Sequence, residues 1–438
     1  MCPLLVQTPS GLRCSAQTAD VRPFWGRFFG YYGGVLAALY LSGAIGIFAV
    51  LRTVGYPVSI VHVTWPGLWY RVPQARGWFF MQKAQRSMSA GRTSEGLLYL
   101  SNAYQFDPGN YQIGLALAKV YQSGRPNEAD ALFERLLRQH PAQRDATAQE
   151  WFRTLLARGD FQKISLLAYN ETLVDPSHGH VWIRAVLFAT RQLGDNTCLH
   201  SLLANTSAAA AVWHQLLETE LLVRAGRLRE ARAAFDRPWP MNGSPFTIYY
   251  RVNTLAALGD AYAALDTLEA NRNPLSGDDY ASLKLETLAT AGASRMLRAK
   301  LDELLLPTLT PATTMVLCAH LIRHPDGAVF THLADKMQQE QPPLTASTAG
   351  VWFSLYCTAG AVGDTARLHA LTLTLKLAAN APFFALSALE AFFRHETGPQ
   401  KITAFLPAIP LPLEINYALI ERYSPPPRAR ATPPATKP

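Results

Sequence analysis

Two pairs of histidines in this 438-residue sequence have a spacing that is common among metal ligands. His178 and His180 form a His-x-His motif in a predicted loop, and His320 and His324 are four residues apart, which places two imidazoles on one face of a helix. A closed zinc site needs four ligands, and no cysteine or carboxylate completes a set at an obvious spacing. The segment HLIRH also lacks the glutamate of the HExxH hydrolase motif. The sequence therefore predicts no metal site and no cofactor.

Other residue types that support catalysis also fail to form a set. Gly243 and Ser244 lie in a predicted turn without the strand–elbow–helix context of a nucleophilic serine. No glycine-rich phosphate loop is present. The cysteines follow neither a CxxC nor a zinc spacing, and the last three fit buried positions in helices: Cys2, Cys14, Cys198, Cys318 and Cys357. We predict that the chain is not an enzyme, with a metal-dependent enzyme using His320 and His324 as the alternative.

The charge distribution argues against a nucleic-acid-binding protein. The formal net charge is +8, but the basic residues are spread along the chain and accompany no nucleic-acid recognition motif. Hydrophobic residues make up 49% of the chain and charged residues only 16%, an apolar balance to which one membrane-like segment contributes. We therefore expect protein and lipid partners and no nucleic acid.

Glycines recur at steps of 32 to 35 residues through the middle of the chain, at Gly91, Gly124, Gly159, Gly194, Gly226, Gly259 and Gly292. A period near 34 residues is typical of stacked helix–turn–helix units. Small residues follow the glycines by five or six positions and large apolar residues by nine, as in Ala129 and Phe133. Each glycine would end a first helix, and the small residues would let a second helix pack closely against it. Prolines 17 positions after a glycine would end that second helix: Pro108, Pro141 and Pro176.

The segment 110–141 shows this pattern most clearly, because it carries Tyr121, Gly124, Ala129, Phe133 and Pro141 in register. In these positions the chain resembles the tetratricopeptide repeat (TPR) family. The resemblance covers about residues 77–307 and continues in degenerate form to about 410. It implies an all-α fold, a right-handed helix–turn–helix (TPR-like) solenoid preceded by one transmembrane helix, but it identifies no partner.

The same resemblance predicts which side chains face the concave groove. The family's groove positions correspond here to Trp78, Tyr111, Tyr121, Arg153, Arg184, Arg191, Trp213, Arg224, Tyr249 and Asn253. Of these we assign partner binding to Tyr121, Arg153, Arg184, Arg191, Arg224, Tyr249 and Asn253. Aromatic residues and arginines anchor many interfaces, and four arginines favour an acidic or carboxylate-bearing peptide. Alternatively, several of these residues pack between repeats or are solvated. The lysine–asparagine clamp with which some relatives hold a terminal carboxylate is not reproduced.

Residues 28–51 form a run of 24 residues without a formal charge, long enough to span a bilayer as a helix. Trp25, Tyr31 and Tyr32 suit the interface at its first end. A cleaved signal peptide is the alternative, but the run is long and no clear cleavage site follows it. Residues 53–70 also lack formal charge, yet Pro57 and Pro66 argue against a second span. We expect that segment near the lipid headgroups or beneath the first repeat.

The orientation prediction depends on the arginines that flank the span. Arg13, Arg22 and Arg27 precede it, whereas Arg52 and Arg71 follow it. This excess favours a cytoplasmic tail and, in a bacterial inner membrane, periplasmic repeats.

Together the patterns divide the chain into a tail (1–27), a transmembrane helix (28–51), a juxtamembrane linker (52–76), about seven TPR-like repeats (77–307), degenerate helical repeats and a cap (308–423), and a disordered proline-rich basic tail (424–438). We predict a single-pass membrane scaffold or adaptor that binds protein partners in envelope assembly or export. A cytoplasm-facing membrane-bound regulator is a further alternative.

Overall fold

The computed structural model describes residues 5–9, 11–14, 24–122, 124–174, 178–237, 245–340, 343–345, 347–379, 384–398 and 400–425. Pro176, Gly243, Ser244 and nearly all of the predicted basic tail lie outside these residues. The chain divides into two compact units, one over residues 1–121 and the other over residues 122–438.

Most of the described residues are helical. The N-terminal unit contains strands β1 (Leu5–Thr8) and β2 (Gly11–Cys14) and helices α1 (Phe24–Val54), α2 (Ile60–Thr64), α3 (Arg71–Ser89), α4 (Thr93–Phe106) and α5 (Tyr111–Tyr121). The C-terminal unit contains α6 (Pro126–Gln139), α7 (Arg144–Arg158), α8 (Phe161–Val174), α9 (Gly179–Leu193), α10 (Thr197–Ala204), α11 (Ala208–Ala211), α12 (His214–Arg224), α13 (Leu228–Phe235), α14 (Pro245–Ala257), α15 (Ala261–Ala270), α16 (Gly277–Thr290), α17 (Ser294–Leu305), α18 (Pro311–Arg323), α19 (Gly327–Glu340), α20 (Ala349–Val362), α21 (Thr365–Ala379), α22 (Phe384–Phe393) and α23 (Leu413–Tyr423).

Helix α1 contains a segment, Phe28–Val54, that is long and apolar enough to cross a membrane. Its 27 residues correspond to about 40 Å of helix, more than the hydrocarbon thickness of about 30 Å. The helix extends beyond the predicted 28–51 at both ends. Part of the predicted polar tail forms an antiparallel hairpin of β1 and β2, with Leu5 opposite Cys14. This hairpin was not predicted from the sequence.

The uncharged segment after α1 turns back along that helix. The turn occurs at Gly55, whose φ of +95° favours glycine. Helix α2 then lies beside the middle of α1. The hydroxyl of Tyr40 in α1 donates a 2.7 Å hydrogen bond to the carbonyl of Thr64, the last residue of α2. An apolar cleft of about 630 Å³ lies between α1 and the returning segment. Leu39, Ile47 and Trp69 are among the residues that border it. The segment therefore packs against α1 and the start of α3.

The predicted repeat pattern is confirmed in the C-terminal unit. First helices α7, α9, α12, α14 and α16 end at glycines with positive φ, namely Gly159, Gly194, Gly226, Gly259 and Gly292, and Gly363 ends α20 in the same way. Residues five and nine positions after the recurring glycines were predicted to pack the two helices of each pair together. Buried among them are Ala129, Phe133, Ile164, Ala168, Ala231, Phe235, Ala264 and Leu268. Helix packing continues past residue 307, where α20 contacts α18, α19 and α21.

The end of the chain returns to the beginning of the C-terminal unit. After α22, short 3₁₀ turns at Ile402–Ala404 and Leu406–Ala408 contact α7. A Cβ atom on Gly159 would lie only 2.8 Å from Cγ2 of Thr403, so this contact is close. Helix α23 then contacts both α7 and α18. The last helix therefore packs against first helices of the array. It lies in the segment 308–423, which was predicted to contain degenerate repeats and a cap.

Candidate partner-binding groove

Helix α23 presents three functional side chains on one face. Glu414, Tyr417 and Glu421 are spaced by three and four residues, so they point in a similar direction from the helix. Pro412 precedes the helix and fits its first turn, where the positive end of the helix dipole also favours the carboxylate of Glu414. We call the surface formed by this face and the facing residues of α9, α14 and α18 the groove.

Two arginines of the first helices bind the two glutamates. Arg184 on α9 donates from Nη1 and Nη2 to the two carboxylate oxygens of Glu414, at 2.9 and 2.7 Å. Arg323 at the end of α18 donates from Nε to Glu421 at 2.7 Å. The Arg184 guanidinium also lies over the Tyr417 ring, 4.6 Å from its centroid. A planar guanidinium suits this combination of a forked carboxylate contact and aromatic stacking.

Water reaches both ion pairs. The side chains of Glu414 and Glu421 are 48% and 42% exposed, whereas those of Arg184 and Arg323 are 31% and 20% exposed. Burial by itself would raise the pKa of Glu414, but the charge of Arg184 outweighs this effect and lowers it. Burial would likewise lower the pKa of Arg184, yet Glu414 raises it. Both partners are therefore charged at neutral pH.

Arg191 and Arg224 meet a different carboxylate, Glu220 on α12, which is almost fully buried. Arg191 donates to both of its oxygens at 2.7 and 2.6 Å, and Arg224 donates from Nε at 2.7 Å. The Tyr250 hydroxyl donates a further bond of 3.1 Å. Burial would raise the pKa of Glu220, but the two guanidiniums lower it to about 2. This cluster joins α9, α12 and α14, which is a structural role.

Two cavities occupy the groove, with volumes of about 490 and 420 Å³. Both are bordered by Arg184, Tyr249, Arg323 and Tyr417, so α23 forms part of each wall. These volumes fall in the range of sites that hold small ligands or single peptide side chains. Helix α23 therefore occupies part of the concave side on which the sequence placed the partner.

The predicted groove residues have different positions in the structure. Arg184 and Tyr249 come together, with the guanidinium 5.7 Å from the ring centroid. Arg191, Arg224 and Asn253 border the larger cavity, and Oδ1 of Asn253 has no hydrogen-bond partner among the described residues.

Three other predicted groove residues lie elsewhere. Arg153 is exposed, pairs with Glu150 at 3.1 Å and borders neither cavity. Tyr121 ends α5 in the N-terminal unit. Trp213 is buried, and a Cβ on Gly179 would lie 3.2 Å from its indole nitrogen. The prediction that Trp213 faces the groove is wrong, because its ring fills the space between neighbouring helices.

Four important groove residues were missed: Arg323, Glu414, Tyr417 and Glu421. The seven-residue spacing of the two glutamates around a tyrosine was visible in the sequence as one face of the last predicted helix. Nothing in the sequence indicated that this helix returns to α9, which lies more than 200 residues earlier. The contact could be found only from the fold.

The structure also changes what can be said about metal ligands. Glu286 on α16 lies beside His320 and His324, so a carboxylate joins the pair that appeared isolated in sequence. Among the described residues, no comparable group forms around His178 and His180. The two histidine motifs are therefore not equivalent.

Stacked helix pairs whose first helices line a groove define a helical-repeat protein of the kind that binds other proteins. Residues 87–150 match the family model described as tetratricopeptide repeat, within the part of the chain where the glycine pattern predicted such repeats. No curated protein matches the sequence.

Proposed function

We propose that the chain is a membrane-anchored scaffold whose groove holds a carboxylate-bearing segment of a partner protein. The observation that carries the proposal is the binding of Glu414 and Glu421 by Arg184 and Arg323. This contact supports a groove specific for two carboxylates on one face of a helix, with an aromatic side chain between them.

Partner binding would exchange one set of carboxylates for another. Helix α23 keeps its other faces in the core, where Ile415, Leu419 and Ile420 are fully buried. Its two glutamates, in contrast, are partly exposed and can turn towards water without extracting the helix. Replacing one ion pair by another changes the electrostatic free energy little. Net affinity would then come from partner side chains that fill the cavities beside Tyr249.

The membrane half of the proposal rests on α1 and the segment that returns along it. If the hydrocarbon core covers residues 28–47, Tyr40 lies about 10 Å inside its boundary. Thr64 is hydrogen-bonded to Tyr40, so α2 would enter the same leaflet. Trp65, Trp69 and Tyr70 are more than half exposed in the structure, and such side chains favour the membrane interface.

Anchoring would concentrate the groove at the membrane surface, which raises effective concentration without a new contact. The arginines before residue 28 favour repeats on the periplasmic side of a bacterial inner membrane. In that location a scaffold of this type would serve envelope assembly or export. This assignment of pathway rests on analogy alone, because a fold does not by itself define a function.

The test uses the full-length protein in its membrane, with a photoreactive amino acid in place of Met315, which borders the smaller cavity. We expect a crosslinked partner protein that disappears in Arg184→Glu/Arg323→Glu. The charge-matched control is Arg125→Glu/Arg153→Glu, since both of those arginines are exposed and border neither cavity. Equal crosslinking in the two variants, or none in the wild type, would contradict the proposal.

A further inference from the structure

We propose that Glu286, His320 and His324 form a binding site for a divalent transition-metal ion of the zinc class. One ligand atom from each residue lies within 4.8 Å of the other two. Two imidazoles and one carboxylate are a donor set that zinc and its neighbours in the periodic table accept. The inference is independent of the partner-binding role, because no residue of the trio holds α23.

The backbone brings these residues together from two stacked first helices. Glu286 lies on α16, and His320 lies on the neighbouring α18. His324 is the C-cap residue of α18, directly after its last helical residue, Arg323. The His324 Nε2 is 3.2 Å from one carboxylate oxygen and 3.3 Å from the other. Two ligands of a tetrahedral zinc ion are separated by about 3.4 Å, so this edge of the site already has the required length.

His320 supplies a second observation that indicates a ligand. Its side chain is only 5% exposed, and its Nδ1 has no hydrogen-bond partner among the described residues. An unpaired buried nitrogen is unfavourable in a folded protein. An ion bound to this nitrogen would remove that free-energy cost. The ligand atoms of the trio lie within 4.8 Å of one another, so a shift of at most about 1.4 Å would bring them to the spacing of about 3.4 Å.

The charge state of the trio also suits a cation. Burial, the nearby His324 and the positive Arg323 together lower the pKa of His320 to about 4, so its ring is neutral at pH 7. Burial would raise the pKa of Glu286, but the hydrogen bond from His324 and the charge of Arg323 lower it. A neutral imidazole and an ionised carboxylate are the forms that bind metal. Arg323 is itself paired with Glu421, which reduces its repulsion of an ion.

The three residues leave at least one coordination position for water or another ligand. Glu286 borders the larger groove cavity, so that position can open towards it. Zinc sites with three protein ligands and an open fourth position are chemically active in many proteins, whereas structural sites are closed. The same nitrogen donors disfavour magnesium and calcium, which prefer oxygen ligands.

The experiment is calorimetric titration of full-length protein, purified without a histidine tag and stripped with EDTA, with zinc chloride and separately with magnesium chloride at pH 7. We expect one equivalent of zinc with a micromolar or tighter dissociation constant and no magnesium binding. His324→Gln and Glu286→Gln should each weaken zinc binding at least 10-fold. Both residues are partly exposed, so circular dichroism should show an unchanged helix content.

The chain offers a matched control in His369 and Glu390, a histidine–carboxylate pair at 2.9 Å that no third metal-ligand side chain joins among the described residues. His369→Gln should leave zinc binding unchanged. Absence of zinc binding by the folded wild type would overturn the proposal. Retention of full affinity in both His324→Gln and Glu286→Gln, or its loss in His369→Gln, would overturn it equally.

Discussion

The guanidinium of Arg184 and the carboxylate of Glu414, 230 positions apart in the chain, form two parallel hydrogen bonds. The contact connects a first helix in the middle of the array to the last helix of the protein. It places an acidic helix face on the surface where the sequence predicted an acidic partner. The groove therefore has an intramolecular ligand of the same chemistry as the proposed partner.

Reversing both charges of this pair should restore what each single reversal removes. Arg184→Glu and Glu414→Arg each place like charges together, so each should lower the midpoint of thermal unfolding. The double variant recovers the attraction, with a coupling energy of about 1 kcal/mol for a partly exposed pair. Circular dichroism during heating measures all four proteins. Strictly additive effects would show that the two side chains do not interact.

Loss of the buried carboxylate of Glu220 should be far more damaging. Glu220→Gln leaves the guanidiniums of Arg191 and Arg224 without a buried counterion, and we expect destabilisation of about 3 kcal/mol. The matched control is Glu230→Gln, which removes an exposed partner of Arg227 and should leave stability unchanged. Denaturant unfolding followed by circular dichroism compares them. Similar midpoints for the two variants would contradict the structural role of the Glu220 cluster.

The repeat architecture was predictable because it depends on local sequence. A glycine such as Gly259 ends a helix through its own backbone, and Ala264 and Leu268 follow it at fixed distances. Every such signal lies within one repeat of about 34 residues. The hydrophobic run of α1 is equally local.

The chemistry of the groove was harder to predict because it depends on pairing between repeats. Arg191 is neutralised by Glu220, which lies one repeat later, so its exposure and charge could not be judged from its own helix. Glu286 and His324 likewise meet only because α16 and α18 stack. Sequence position placed Arg184 and Tyr249 in the predicted groove but gave no indication that α23 packs against them.

Acid should reduce stability through His320. Its pKa is about 4 in the folded protein and 6.5 when unperturbed, so the unfolded chain binds a proton at higher pH than the folded one. The contribution of His320 to the free energy of unfolding is complete above pH 6.5 and falls as the pH decreases to about 4. It then becomes constant, after a total loss of about 3 kcal/mol. His320→Gln should flatten this slope in metal-free protein, and the exposed His332→Gln should not. Unfolding midpoints measured from pH 7 to pH 4 provide the comparison.

The orientation of the repeats can be tested in spheroplasts. We expect externally added protease to digest the C-terminal unit while the membrane is intact, because the arginines before residue 28 favour a cytoplasmic amino end. A cytoplasmic marker protein must remain undigested in the same sample. Protection of the C-terminal unit until lysis would place the repeats in the cytoplasm and transfer the search for partners there.

The most direct test of the proposed groove is the yield of partner crosslinking from position 315 in three full-length proteins. Glu414→Gln/Glu421→Gln weakens the intramolecular competitor, whereas Arg184→Gln/Arg323→Gln removes the groups proposed to bind the partner. We predict a yield above that of the wild type for the first variant and little or no crosslinking for the second. Equal yields in all three proteins, or a lower yield in the first variant than in the wild type, would contradict binding of a partner by exchange of carboxylates.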